Sequence, residues 1–240
     1  MANASIDMDA AAALGIVVSG TSGSGDTTGE LTWGLILALA RSIPQEDKLI
    51  RLGQWQTSLG SGLRGKTLGL LGLGRIGSQV AGYGNVFGMS VIAWSENLTR
   101  ERATENGADL VSKAVLLKNS DVVSIHLRLS ERTRGLLGQQ DLDLMKPTAY
   151  LVNTSRGPIV DEDALIKALR QRKLAGAALD VFDEEPLRPD HPLLSLDNTV
   201  LTPHLGYVTK ESYAIMYTQA LEDVLAFLTG EPIRVLNARD

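Results

Sequence analysis

The chain has 240 residues, enough for one full domain of the usual ~100 to 200 residues and part of a second. Its net charge of −5 offers no basic footprint, so nucleic acid is not an expected partner. The absence of cysteine excludes disulfides, thiolate metal sites and thiol nucleophiles; acids stand where a signal peptide would be basic, and no apolar run approaches the ~20 residues of a membrane span, so a cytoplasmic protein with neither metal nor membrane partner is expected.

Along the chain, short apolar runs alternate with longer amphipathic ones. Residues 15–18 read as a strand. Residues 19–29, SGTSGSGDTTG, have two open readings, a flexible linker or a loop at the mouth of a cleft, and residues 29–41 read as a helix. Residues 42–65 are polar and irregular around Trp55, an arm whose indole needs an apolar partner in this subunit or a neighbour. Strands are then predicted at 67–71, 90–94, 121–127, 149–153, 176–180 and 199–201, and helices at 75–87, 99–106, 111–118, 161–172 and 210–228. Most of these strands are apolar on both faces, as a sheet buried on each side requires, and the pattern predicts an α/β fold with a doubly wound parallel sheet.

The segment LGLLGLGRIG, residues 68–77, is the layout of a dinucleotide-binding turn of Rossmann type. Gly72 permits a tight turn, Gly74 admits a pyrophosphate to the backbone, and Gly77 lets the following helix, entered through Arg75 and Ile76, pack close to the strand. The competing reading is a plain glycine-rich turn. The strand before, the helix after and a second strand at 90–94 favour the cofactor.

There are three histidines, His126, His191 and His204. His204, in TPHLG at 202–206, directly follows a predicted strand and therefore lies at the carboxyl edge of the sheet. Arg156, in NTSRG at 153–157, follows another, and ALDVFDEEPL at 178–187 opens from a third into an acidic turn. A guanidinium grips a carboxylate, a carboxylate beside an imidazole favours its protonated form, and the imidazolium can protonate a carbonyl. Those are the parts needed to reduce a 2-keto acid with a nicotinamide. Plainer readings stay open: Arg156 paired with Asp161 or Glu162, Asp183 to Glu185 as a solvated turn, and His204 as a satisfied loop histidine.

GLGRIG, SIHLRLSERTRGLLG at 124–138, NTSRGPIVDEDAL at 153–165, ALDVFDEEPL and TPHLG together resemble, in order, the D-isomer-specific 2-hydroxyacid dehydrogenases. The resemblance implies an NAD-dependent oxidoreductase for a small 2-keto or D-2-hydroxy acid, with Arg156 gripping substrate, Glu185 pairing with the acid, and His204 as proton donor. It puts Asp180 and Thr154 near the nicotinamide and Thr133 near a ribose; His126 and Gly206, within the matched segments, join the cofactor-binding set. It also implies a homodimer built with the 42–65 arm. Three departures stand out. Arg128 replaces a common proline. Ser95, followed by Glu96 and with Arg100 nearby, replaces the acidic residue expected at the end of the second strand, so NADP stays open beside NAD. The chain also begins near the end of the family's flavodoxin-like substrate domain. Residues 1–41 are thus expected to be a remnant of that domain with its crossing helix, 42–208 the dinucleotide-binding domain, and 209–240 a helix returning to the substrate domain. Such a truncation makes a catalytically weak or silent NAD(H)-binding protein the alternative function.

Overall fold

The computed structural model describes residues 6–23 and 25–237. Residues 1–5 and 238–240 of the expected terminal segments, and Ser24 of the 19–29 loop, lie outside the described residues. In chain order the elements are α1 (Met8–Ala13), α2 (Thr27–Ala40), α3 (Ile43–Ile50), β1 (Thr67–Leu71), α4 (Arg75–Val86), β2 (Ser90–Trp94), α5 (Arg100–Glu105), β3 (Asp109–Leu110), α6 (Lys113–Asn119), β4 (Val122–Ile125), α7 (Gln139–Leu142), β5 (Tyr150–Asn153), α8 (Glu162–Arg170), β6 (Gly176–Leu179), β7 (Thr199–Leu201) and α9 (Lys210–Leu228).

The chain forms two compact units, one of Met1–Thr27 with Tyr207–Asp240, the other of Thr28–Gly206. The larger unit holds a seven-stranded sheet in the order β3-β2-β1-β4-β5-β6-β7, with every pairing parallel. Successive residues of a strand feed opposite cores. Leu68 and Leu70 pack with Trp33, Ile36 and Leu39 of α2 and Val80 of α4, whereas Leu71 joins Leu116 of α6 and Leu165 and Leu169 of α8. The same alternation separates Val122 from Val123 and Leu151 from Val152. Burial on both faces is what leaves these strands with almost no polar residue. The chain leaves β1 for β2 on one side and resumes at β4 on the other, so the carboxyl ends of β1 and β4 border the crevice where the strand order reverses.

The predicted strands match within one or two residues except at 15–18, where the backbone pairs with the chain's own tail, 219 residues away, instead of a sheet. Gly20 N–H donates to Arg234 O (3.0 Å), Leu236 N–H to Val18 O (2.8 Å), Val18 N–H to Asn237 Oδ1 (3.0 Å), and only a single bridge, Ser19 with Val235, has strand character. In the same unit Ser22 bonds Gln219, and Arg234 donates to Glu222 and Asp223 of α9, each at 2.8 Å. The described part of the 19–29 segment is therefore tied down, unlike a linker. The predicted irregular stretch 42–65 opens with a helix, α3, whose residues are all at least partly exposed. Its middle, Gln45 to Lys48, is wholly polar, and at eight residues it is too short to show a period clearly. The two-residue edge strand β3 and the one-turn helix α7 are too short to show a period.

Candidate active site

The glycine turn follows β1 directly. Gly72 has φ +100°, and a Cβ there would lie 2.6 Å from His126 O. At Gly77 a Cβ would lie 2.2 Å from Gly72 O, so the helix approaches the turn more closely than any side chain permits. At Gly74, the N-cap of α4, a Cβ would meet nothing within 4 Å, and no side chain caps this 12-residue helix. Two glycines are thus demanded by packing and the third faces open space at a helix amino terminus, which fits a diphosphate seated on backbone N–H groups. Arg75 is exposed in the first turn and Ile76 is partly buried against the core. Gly72 N–H donates to Trp94 O at 2.8 Å, which brings Ser95, the first residue past β2, alongside the turn. Ser95 O then accepts from Leu98 N–H at 3.1 Å, and Thr99 caps α5 behind it.

His126 follows β4 on the other side of the crevice. Its N–H donates to Leu71 O at 2.7 Å and its Nε2 lies 2.9 Å from Ser124 Oγ. Burial of the ring pushes its pKa down to about 4, so the imidazole is neutral at physiological pH. Thr133 closes its own loop: its hydroxyl donates to Arg128 O at 2.7 Å and accepts from Ser130 N–H at 2.8 Å. Arg128 itself is exposed.

Beyond β5, the side chain of Asn153 shapes the loop. Its Oδ1 accepts from Ser155 N–H (3.0 Å) and its Nδ2 donates to Arg156 O (2.9 Å), while Ser155 Oγ donates to Ile125 O (3.0 Å). Arg156 is exposed, with Nη1 donating to Ser155 O at 2.6 Å, and among the described residues no ion pair joins it to Asp161 or Glu162. Asp161 caps α8 through Ala164 N–H and Glu162 pairs with His191 at 3.0 Å. At Gly157 a Cβ would lie 2.0 Å from the backbone of Phe182, so the Arg156 loop sits directly on the turn after β6.

In that turn Glu185 bridges two partners. Oε1 accepts from Phe182 N–H at 2.9 Å, and Oε2 lies 2.6 Å from His204 Nδ1. The acidic turn is therefore not simply solvated. Beside it, burial raises the carboxyl pKa of Asp183, helped by the negative charge of Glu162 and opposed by Arg134. His204 holds φ +55°, a left-handed conformation that an L side chain adopts at a cost. Nδ1 of the ring is committed to Glu185.

Asp180, only 1% exposed, organises the loop that carries His204. Its carbonyl accepts from His204 N–H at 2.9 Å; Oδ1 accepts from Thr202 Oγ1 (2.6 Å) and Leu205 N–H (2.7 Å), and Oδ2 from Gly206 N–H (2.9 Å). Thr154 is buried with its hydroxyl 2.8 Å from that of Thr32, and Thr32 donates to Thr28 O at 2.7 Å. A hydroxyl has one proton, so Thr154 is the donor of that pair and keeps only acceptor capacity. Thr28, Thr32, Asn153 and Ser124 were not singled out from sequence, although Thr28 and Thr32, four apart in a mostly apolar helix, are a readable sign of a polar contact on one face.

At this edge the Glu185 and His204 side chains meet and the Arg156 loop packs on the turn that carries Glu185; three comparisons show what the chain is similar to. Residues 33–206 match the family model of the D-isomer-specific 2-hydroxyacid dehydrogenase NAD-binding domain. The chain is 49% identical over 236 residues to a glyoxylate reductase of Aeropyrum pernix, covering 94% of this chain and 70% of that protein. Among solved structures, a phosphoglycerate oxidoreductase from Vibrio cholerae superposes with a TM-score of 0.92 at 40% identity (96% of this chain, 75% of that one). A D-lactate dehydrogenase of Aquifex aeolicus, solved with NAD and lactic acid, does so with a TM-score of 0.84 at 33% identity (98% and 77%). The chain belongs to the D-isomer-specific 2-hydroxyacid dehydrogenase family, and most of its length is that family's NAD-binding domain.

Proposed function

We propose that this chain interconverts a small 2-keto acid and its D-2-hydroxy acid with Arg156, Glu185 and His204 as the residues that handle substrate, glyoxylate and hydroxypyruvate being the first acids to try. The observation that carries the assignment is the 2.6 Å contact between His204 Nδ1 and Glu185, the latter on a turn that packs directly against the Arg156 loop. The nicotinamide, when bound, supplies or takes up the hydride. His204 Nε2 gives the proton to the substrate oxygen in reduction and takes it back in oxidation, while Glu185 holds the ring and balances its charge. Arg156, with donors beyond the one given to Ser155, grips the substrate carboxylate and polarises the carbonyl.

The cofactor-facing set is Gly72, Gly74, Arg75, Ile76 and Gly77 at the diphosphate, Ser95 and Thr133 at the riboses, and His126, Thr154, Asp180 and Gly206 toward the nicotinamide. Asp180 Oδ2, with one donor on it, and Thr154, with acceptor capacity only, suit the N–H groups of a carboxamide. Ser95 in place of a carboxylate removes the repulsion against a 2′-phosphate, so both NADH and NADPH are to be tested, with NAD favoured. Residues 1–41 and 209–240 serve the substrate side and 42–208 the cofactor, although the crossing helix α2 itself packs on the sheet through Trp33, Ile36 and Leu39.

The enzyme works as a cytoplasmic homodimer through the 42–65 arm. Trp55 is 75% exposed and Leu59 fully so, side chains that a neighbouring copy would cover. Sedimentation as a monomer at micromolar concentration contradicts the dimer. Mixing the protein with reduced cofactor and glyoxylate or hydroxypyruvate tests the reaction: loss of the 340 nm absorbance is expected, on the order of 1 to 1,000 turnovers per second for an ordinary enzyme. Tight cofactor binding without oxidation replaces this reading by a silent NAD(H)-binding protein.

A further inference from the structure

The loop 202–206 is an arch with His204 at its crown. One foot is fastened through Thr202, whose N–H donates to Leu179 O (3.0 Å) and whose hydroxyl donates to Asp180. The other foot is Gly206. Its N–H is held by Asp180 Oδ2, and its carbonyl accepts from the hydroxyl of Thr28, at the start of α2, at 2.9 Å. Gly206 is wedged there: a Cβ would stand 3.2 Å from Thr28 Oγ1 and Cγ2 and 3.3 Å from Asp180 Oδ2. Four residues further along α2, Thr32 is engaged with Thr154 in the loop that leads to Arg156. The first turns of α2 therefore tie the arginine loop to the histidine loop through two hydroxyls on one helix face.

We propose that Thr28 is a positioning residue for His204, its hydroxyl anchoring Gly206 so that the histidine keeps its left-handed backbone and its contact with Glu185. This deepens the reading above and rests on His204 being the acid. Losing one such hydrogen bond lets the crown relax toward ordinary backbone angles, which carries Nε2 off the substrate oxygen without touching the cofactor turn or Arg156. The effect falls on turnover; Gly206 also faces the cofactor, but the diphosphate turn, which Thr28 does not touch, carries most of the cofactor's affinity.

The test compares Thr28→Val, which keeps the shape and removes the donor, with Thr28→Ser, which keeps the donor. Thr28→Val is expected to lower kcat about 3- to 10-fold, the range of one hydrogen bond, with KM for the keto acid and Kd for NADH changed by less than about twofold. Amide hydrogen exchange at Leu205 and Gly206 in the cofactor-free protein is expected to quicken by a similar factor. Thr28→Ser is expected to restore both. Wild-type turnover and exchange in Thr28→Val, or equal losses in the valine and serine variants, overturns the proposal. His204→Gln run alongside separates the two readings. If that variant keeps full turnover the acid assignment fails, and the exchange rates at Leu205 and Gly206 then decide the role of Thr28 alone.

Discussion

At the β1 end of the sheet edge the site is shaped by absent side chains, and at the β5 to β7 end by side chains that hold one another. Gly72 and Gly77 leave room for backbone against backbone, and Gly74 opens a helix amino terminus. Across the crevice, Asp180 collects three donors, Glu185 collects two, and Asn153 both donates and accepts to bend one loop. A surface that holds an invariant diphosphate needs only fixed N–H groups, whereas proton transfer needs an imidazole aimed in one direction, and aim comes from a shell of oriented partners. The two halves should therefore fail differently when altered.

The widest loss is expected on the side-chain half. His204→Gln should lower kcat by about 10²- to 10⁴-fold while leaving NADH affinity, followed by fluorescence titration, within about twofold. A parallel collapse of cofactor binding would show that the halves are not separable. Between them, neutral His126 predicts an acid-sensitive fold. Its folded pKa, about 4, lies below the ordinary 6.5. The unfolded chain therefore takes up a proton that the folded one refuses, and this contribution is intact above pH 6.5 and lost as the pH falls toward 4. At most about 3 kcal/mol is involved. Urea midpoints measured from pH 7 to 4.5 should fall less steeply in His126→Asn than in the parent, and identical slopes would count against the assignment.

On the backbone half, Gly77→Ala puts a methyl group into Gly72 O, which cannot yield without moving the turn. A destabilisation of about 1 to 3 kcal/mol is expected, together with weakened cofactor binding. Gly74→Ala is the smallest in the folded apoprotein, within about 0.5 kcal/mol, because its methyl enters open space. Its effect should appear only as a loss of NADH affinity, read by calorimetry. Equal effects of the two alanines on stability would erase the distinction between a glycine demanded by packing and one that faces the ligand.

The contrast also explains what could be read before folding. GLGRIG is local: its glycines, strand and helix are consecutive, so spacing alone announced them, and the apolar runs at 67–71 and 199–201 marked their strands to the residue. That Arg156, Glu185 and His204 come to one edge could be read for a different reason, each lying just beyond a strand in a parallel sheet, whose carboxyl ends share one edge. Their partners were harder. Thr28 and Gly206 are 178 residues apart and Asp180 and Gly206 are 26 apart, and nothing in either local segment names the other. The strand expected at 15–18 failed in part for the same cause: the N–H groups of Gly15 and Ile16 close onto α1, while Ile16 O and Val18 are satisfied by a tail more than 200 residues away.

By itself the amino-acid order determined the alternation of buried strands and amphipathic helices, the glycine turn after β1 and the residue types available for chemistry, because those depend on periods of two, of 3.6 and on short glycine spacings. Tertiary structure alone decided that Glu185 meets His204 at 2.6 Å, that Asp180 spends its carboxylate on the histidine loop, and that α2 braces the edge through Thr28 and Thr32. The physical reason is that a hydrogen bond is satisfied by whichever donor the packed sheet brings within reach, and that proximity is a property of the closed fold.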